Sequence, residues 1–170
     1  APLTATSGSD TAAVLLNFQD AGIYDLAGVN NLDTVGDAQI DTAVKKYGTG
    51  SIQFDETGDY LAIDSNSFVP LGSGDFTIEC WVYFSAVASN GQGVFQLSSG
   101  YLNAQDGIGP GIGTYNGSGK WHIYYGAGSN QNTTIGSAVS APSQNTWYHV
   151  AFVKTSGVIK IFIDGTQIGS

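Results

Sequence analysis

From residue 13 onward, strand-like runs three to nine residues long are cut off one after another by Gly, Asn, Asp and Ser, and almost nothing repeats with the period of a helix. Side chains alternate between the two faces of an extended strand, so such a chain must bury one face of many short strands, not one stripe of a few helices. Segments 13–17, 51–54, 60–63, 76–84, 94–98, 111–115, 121–125, 147–154, 158–163 and 166–168 read this way. The clearest is 76–84. Phe76, Ile78, Cys80, Val82 and Phe84 share one face, and Thr77, Glu79, Trp81 and Tyr83 share the other. Segments 147–154 and 158–163 are joined by a short link, Thr155-Ser156-Gly157, and Asp164-Gly165 turns the chain again. An Asp-Gly pair accepts the positive φ values of a type I′ turn. Between 20 and 47 strand runs are few, which predicts a long loop with at most a helical turn over 42–46. Ten or so short strands in 170 residues fit a single all-β domain, a two-sheet antiparallel sandwich or jelly roll over 13–170 after an N-terminal extension at 1–12.

Charge narrows the function. Only 11% of residues are charged, and the formal net charge is −9. All five cations are lysines, so a nucleic-acid partner bound through phosphate neutralisation is excluded, as is an anionic-membrane anchor. No run approaches the ~18 consecutive apolar residues that span a bilayer, and the first residues lack a basic and apolar leader pattern. The expectation is no nucleic acid and no membrane insertion. The chain has no methionine, which reads as a processed product or an excised segment of something longer. Twelve of the fourteen carboxylates fall in residues 1–80 beside two lysines, and two fall after residue 80 beside three lysines. Twelve of the fourteen are Asp. Short carboxylates in loops either cap turns or bind a hard cation such as calcium.

Catalytic patterns are missing. The lone Cys80 sits in an apolar strand and reads as a small buried hydrophobe, not a reactive thiol. Glu56 and Glu79 are the only glutamates, so no strand carries the paired carboxylates of a glycoside hydrolase. His149 lies in a strand with no Gly-x-Ser-x-Gly elbow to serve, and reads as a structural histidine. The glycine-rich 107–113 lacks the strand-to-helix setting of a phosphate loop.

Several ordered segments carry a family likeness. They are Tyr47-Gly-Thr-Gly-Ser-Ile-Gln-Phe-Asp55 with Gly58-Asp-Tyr-Leu61, Asp75-Phe-Thr-Ile-Glu-Cys-Trp-Val82, Asn145-Thr-Trp-Tyr-His-Val-Ala-Phe-Val153 and Ile161-Phe-Ile-Asp-Gly165. Together they resemble the laminin-G-like, concanavalin A-like lectin-glucanase jelly-roll superfamily, and Leu15-Leu-Asn-Phe18 and Asp25-Leu-Ala-Gly28 fit its opening strand and loop. The resemblance implies two curved sheets face to face, often a calcium ion at the rim, and recognition of carbohydrate or protein outside the cell or on a virion. The family pattern continues past the hairpin matching 161–170 with a glycine-rich stretch and a last strand. The expectation is therefore a sandwich lacking its final strand, with an open sheet edge that invites strand addition.

Two sets of candidate site residues follow. The family order would bring Asp20 and Asp25, in the first loop, to the same end of the sandwich as Asp55 and Asp59, so these four are the candidate calcium ligands and calcium is the candidate cofactor. The same carboxylates can equally cap their own turns. A sugar face needs aromatic platforms with amide or hydroxyl partners, and residues 101–131 are the densest supply. Tyr101, Tyr115, His122, Tyr124 and Asn130 are the candidate ligand-binding residues. On 121–125 alternation separates Trp121, Ile123 and Tyr125 from His122 and Tyr124, with the second pair expected outward and Trp121 and Tyr125 equally suited to packing. The reading is a non-catalytic recognition or adhesion module, glycan-binding and calcium-assisted. The alternative is a structural assembly protein, such as a virion decoration, tail or filament subunit, that self-associates or docks on a scaffold through the open edge.

Overall fold

The computed structural model describes residues 12–19, 22–27, 30–55, 57–63, 74–87, 92–96, 111–115, 120–125, 133–135 and 141–169. The chain divides into two compact units, Ala1–Pro70 and Leu71–Ser170. The described residues are all-β, as the alternation requires, and no helix among them is long and apolar enough to cross a membrane.

The described residues of the first unit form four short strands, β1 (Leu32–Val35), β2 (Gln39–Asp41), β3 (Ser51–Gln53) and β4 (Tyr60–Ile63). They pair antiparallel as β1–β4, with Val35 opposite Tyr60, and β2–β3, with Ile40 opposite Ile52. Residues 51–54 and 60–63 were expected as strands. β1 and β2 fall inside the predicted long loop, because Leu-Asp-Thr-Val and Gln-Ile-Asp are too short to display a period. Residues 42–46 are loop, without the helical turn that the sequence allowed at most. Asp41 accepts the N–H of Ala43 at 2.7 Å and of Val44 at 3.3 Å, an Asx turn that satisfies these donors without a following helix. Residues 13–17 are not a strand either, although the Leu15 carbonyl accepts the N–H of Leu26 at 2.8 Å.

The second unit is a sandwich. One sheet has the order β12-β11-β10-β5, built from β5 (Phe76–Tyr83), β10 (Trp147–Thr155), β11 (Val158–Ile163) and β12 (Thr166–Gly169). The other runs β6-β7-β8-β9, from β6 (Gln92–Gln96), β7 (Gly111–Tyr115), β8 (Lys120–Tyr125) and β9 (Thr133–Ile135). All neighbours are antiparallel. β9, a Thr-Thr-Ile triplet, had no sequence signal of its own, and β6 begins two residues earlier than predicted, residues 97 and 98 lying outside the described residues.

Both hairpins at the end of the chain close as the dipeptides require. Ser156 and Gly157 have φ of 50° and 78°, Asp164 and Gly165 of 48° and 77°, the paired positive values of type I′ turns. Asp75 accepts the N–H of Ser156 at 2.8 Å, and Asp164 accepts the N–H of His149 at 2.9 Å while donating its own N–H to the His149 carbonyl.

Phe76, Ile78 and Val82 take the inner face of β5, as alternation predicts, and with Phe84 just beyond its end they join Trp121, Val150, Phe152 and Ile161 in the core. Rings from both sheets interlock there. Phe152 stacks on Phe76 at 5.9 Å and meets Phe95 of β6 edge-on at 6.0 Å, while Trp121 of β8 meets Tyr148 and Phe84 edge-on, each at 5.6 Å. Phe152 and Ile161 are completely buried, each gaining roughly 1.5–3 kcal/mol from leaving water. Cys80, half-buried on the same face, has its thiol pushed up to about 11 by burial and by the Glu79 charge, which keeps it protonated and unreactive. The opposite face of this sheet pairs Tyr83 with Trp147 at 5.3 Å and Trp81 with His149 at 5.2 Å. His149 Nε2 lies 3.5 Å from the Glu79 carboxylate, so the histidine has a structural partner.

Candidate functional site

In the first unit, strand pairing gathers three carboxylates. Val35 is opposite Tyr60, so the residues just beyond them, Gly36 after β1 and Asp59 before β4, lie side by side at the end of the ladder. Gly36 has a φ of 79°, and a Cβ there would sit 2.0 Å from Asp59 Oδ1. Only glycine lets the Asp59 carboxylate lie that close. Asp59 Oδ1 accepts the N–H of Asp37 at 2.8 Å, and Oδ2 accepts the N–H of Asp55, two residues beyond β3, at 2.9 Å. Asp55 in turn caps its own loop by accepting the N–H of Thr57 at 2.7 Å. One oxygen from each of Asp37, Asp55 and Asp59 then lies within 4.8 Å of the other two.

The electrostatics of the trio are lopsided. The neighbouring charge of Asp55, then that of Asp59, raises the pKa of Asp37 above the ordinary carboxylate range. Asp59 is lowered, chiefly by the hydrogen bond from the Asp55 backbone, with the Asp37 backbone adding to it and partial desolvation opposing. Asp37 is therefore the member that carries the repulsion. A cation placed among the three oxygens would cancel it. Calcium–oxygen distances run about 2.3–2.6 Å, so two oxygens on one ion stand at most about 5 Å apart, and the trio meets that spacing. The donor set fits calcium in hardness and charge, and backbone carbonyls and water would complete the shell.

The sequence-predicted metal residues divide. Asp55 and Asp59 lie together in the trio, and Asp20 lies outside the described residues. Asp25 stands apart from the trio and holds a turn. Its Oδ1 accepts the N–H groups of Leu15 at 2.8 Å and Ala27 at 2.9 Å, and its Oδ2 accepts from Asn30 N and Nδ2 at 3.2 and 2.8 Å. Burial of Asp25, only 6% exposed, pushes its pKa up, but the donors of Leu15, Asn30 and Ala27 outweigh it, and the carboxyl sits below its ordinary range. With two donors already on each oxygen, a metal bond at Asp25 would displace a hydrogen bond.

Asp37 is the residue that sequence reasoning missed. Its signal was present in two of the three Gly-Asp pairs of the sequence, Gly36-Asp37 and Gly58-Asp59, one leaving a strand and one entering its partner. Recognising the first pair required recognising β1.

Of the candidate sugar residues, Tyr115 ends β7 opposite Lys120, and His122 and Tyr124 lie two apart on β8, opposite Gly113 and Gly111. Tyr101 and Asn130 lie outside the described residues. Trp121, suited equally to ligand or core, is 2% exposed and belongs to the core.

Residues 55–170 match the family model of the concanavalin A-like lectin/glucanases superfamily. The chain belongs to this superfamily. No curated protein and no solved structure matches the chain. The concanavalin A-like match begins at Asp55, so it takes in two members of the carboxylate trio and all five candidate sugar residues, while Asp25 and Asp37 precede it. A superfamily of lectins and glucanases links the fold to carbohydrate, with both binding and hydrolysis as precedents.

Proposed function

We propose that this concanavalin A-like domain is a non-catalytic recognition module that binds glycan, with calcium assistance, outside the cell or on a virion surface. The observation that carries the reading is membership in a lectin/glucanase superfamily by a chain with only two glutamates, 56 and 79, too far apart in sequence for the paired acids of a hydrolytic strand. Tyr115, His122 and Tyr124 on the β7–β8 ladder, with Tyr101 and Asn130, form the sugar-binding set. Trp121 packs inward, and positions 122 and 124 alternate with it along β8, which supports their outward assignment. Asp55 and Asp59, joined by Asp37, hold calcium, whose charge neutralises the trio and fixes the loops that carry it. Asp25 acts from the turn it organises.

A glycan array tests this directly. The protein is expected to be retained on a subset of glycans in calcium, with retention lost in Tyr124→Ala and weakened by a chelator. No retention by a folded protein in calcium overturns the glycan reading, and turnover of any glycoside overturns the non-catalytic one.

A second reading, self-association or scaffold docking, is favoured by one feature: β12 is the outermost strand of the β12-β11-β10-β5 sheet, with one ladder of backbone groups facing no described strand. Light scattering separates the two. Oligomers broken by Gln167→Pro in β12, with no sugar affinity, would favour assembly.

A further inference from the structure

We draw no further inference here: the strongest candidate, the aromatic end of the face of the β12-β11-β10-β5 sheet opposite its core, where Trp81, Tyr83, Trp147 and His149 lie side by side, carries nothing because nothing in the structure shows what covers it.

Discussion

The two units of this chain are held together by different means. In the second, rings from two sheets interlock around Phe152 and Ile161, both wholly buried, and carboxylates only trim the hairpin turns. In the first, the buried residues among those described are Ala38, Gly50 and Asp25, while Tyr24, Leu26, Tyr47, Phe54 and Tyr60 are each 39–53% exposed. There the organising contacts run from Asp25, Asp41, Asp55 and Asp59 to backbone N–H groups. The uneven charge of the sequence is the same fact seen earlier: the half rich in aspartate uses it where the other half uses aromatic packing. An apolar core is indifferent to pH and salt to first order, whereas a carboxylate scaffold responds to both, and to cations.

The largest expected effect is in the apolar unit. Phe152→Ala deletes the ring that touches Phe76 and Phe95 and should cost about 3–5 kcal/mol, read as a drop in the urea midpoint. Tyr60→Ala in the first unit, truncating a side chain 53% exposed, should cost no more than about 0.5 kcal/mol. Similar losses for the two variants would break the contrast. Hydrogen exchange should agree with it, with the amides of Val150–Phe152 slowest and those of β2 and β3 fast.

Next comes Asp25. Replacing it by Ala strands the N–H groups of Leu15, Ala27 and Asn30, and an unsatisfied buried donor costs about 1–3 kcal/mol. Some of these will find water, so a loss of about 2 kcal/mol by chemical denaturation is the expectation. Asp75→Ala, which frees one exposed N–H at the β10–β11 turn, should lose about 1 kcal/mol or less. If Asp75→Ala is the costlier of the two, carboxylates matter as much in the aromatic unit, and the comparison fails.

What could be read in advance follows the same division. Strand 76–84, the hairpin link at 155–157, the type I′ turn at Asp164-Gly165 and the inward face of β5 were legible because apolar packing imposes a strict period and tight turns demand particular residues. β1, β2 and β9 were not, since three or four residues cannot show a period and each is defined by its partner strand. The site followed suit. Asp55 and Asp59, four apart around one turn, were readable as a pair. Asp37 joins them only through the β1–β4 pairing, and the four hydrogen bonds of Asp25 reach back to Leu15 and forward to Asn30 in ways no local spacing announces.

A smaller effect separates the units by pH. The folded-state pKa of Asp25 is depressed, so its contribution is fully present above the unfolded value of about 3.9 and is lost as pH falls through the folded one. Protection of first-unit amides, measured relative to their intrinsic exchange rates, should therefore fall below about pH 4, and the Asp25→Ala variant should lack that acid step. The same step surviving unchanged in Asp25→Ala would assign it to another carboxylate.

The smallest and most diagnostic effect belongs to Asp37, whose pKa is raised by Asp55 and Asp59. A raised pKa has the opposite sign from Asp25: its contribution is present at acid pH and is lost as pH rises through the folded value, so at neutral pH the ionised group opposes folding. Asp37→Asn removes that repulsion while keeping the backbone N–H that Asp59 accepts. In chelator at low salt and neutral pH, the variant should melt slightly above the parent protein. The gap should close near pH 3 and in 1 M salt, where the Debye length is about 3 Å. Calcium should reverse the order. An ion bound only to the folded state raises the melting temperature of the parent, and the variant, short of one charged ligand, should gain less. Equal gains for both proteins would place the cation elsewhere, and no gain for either would reduce the trio to an arrangement of turn caps.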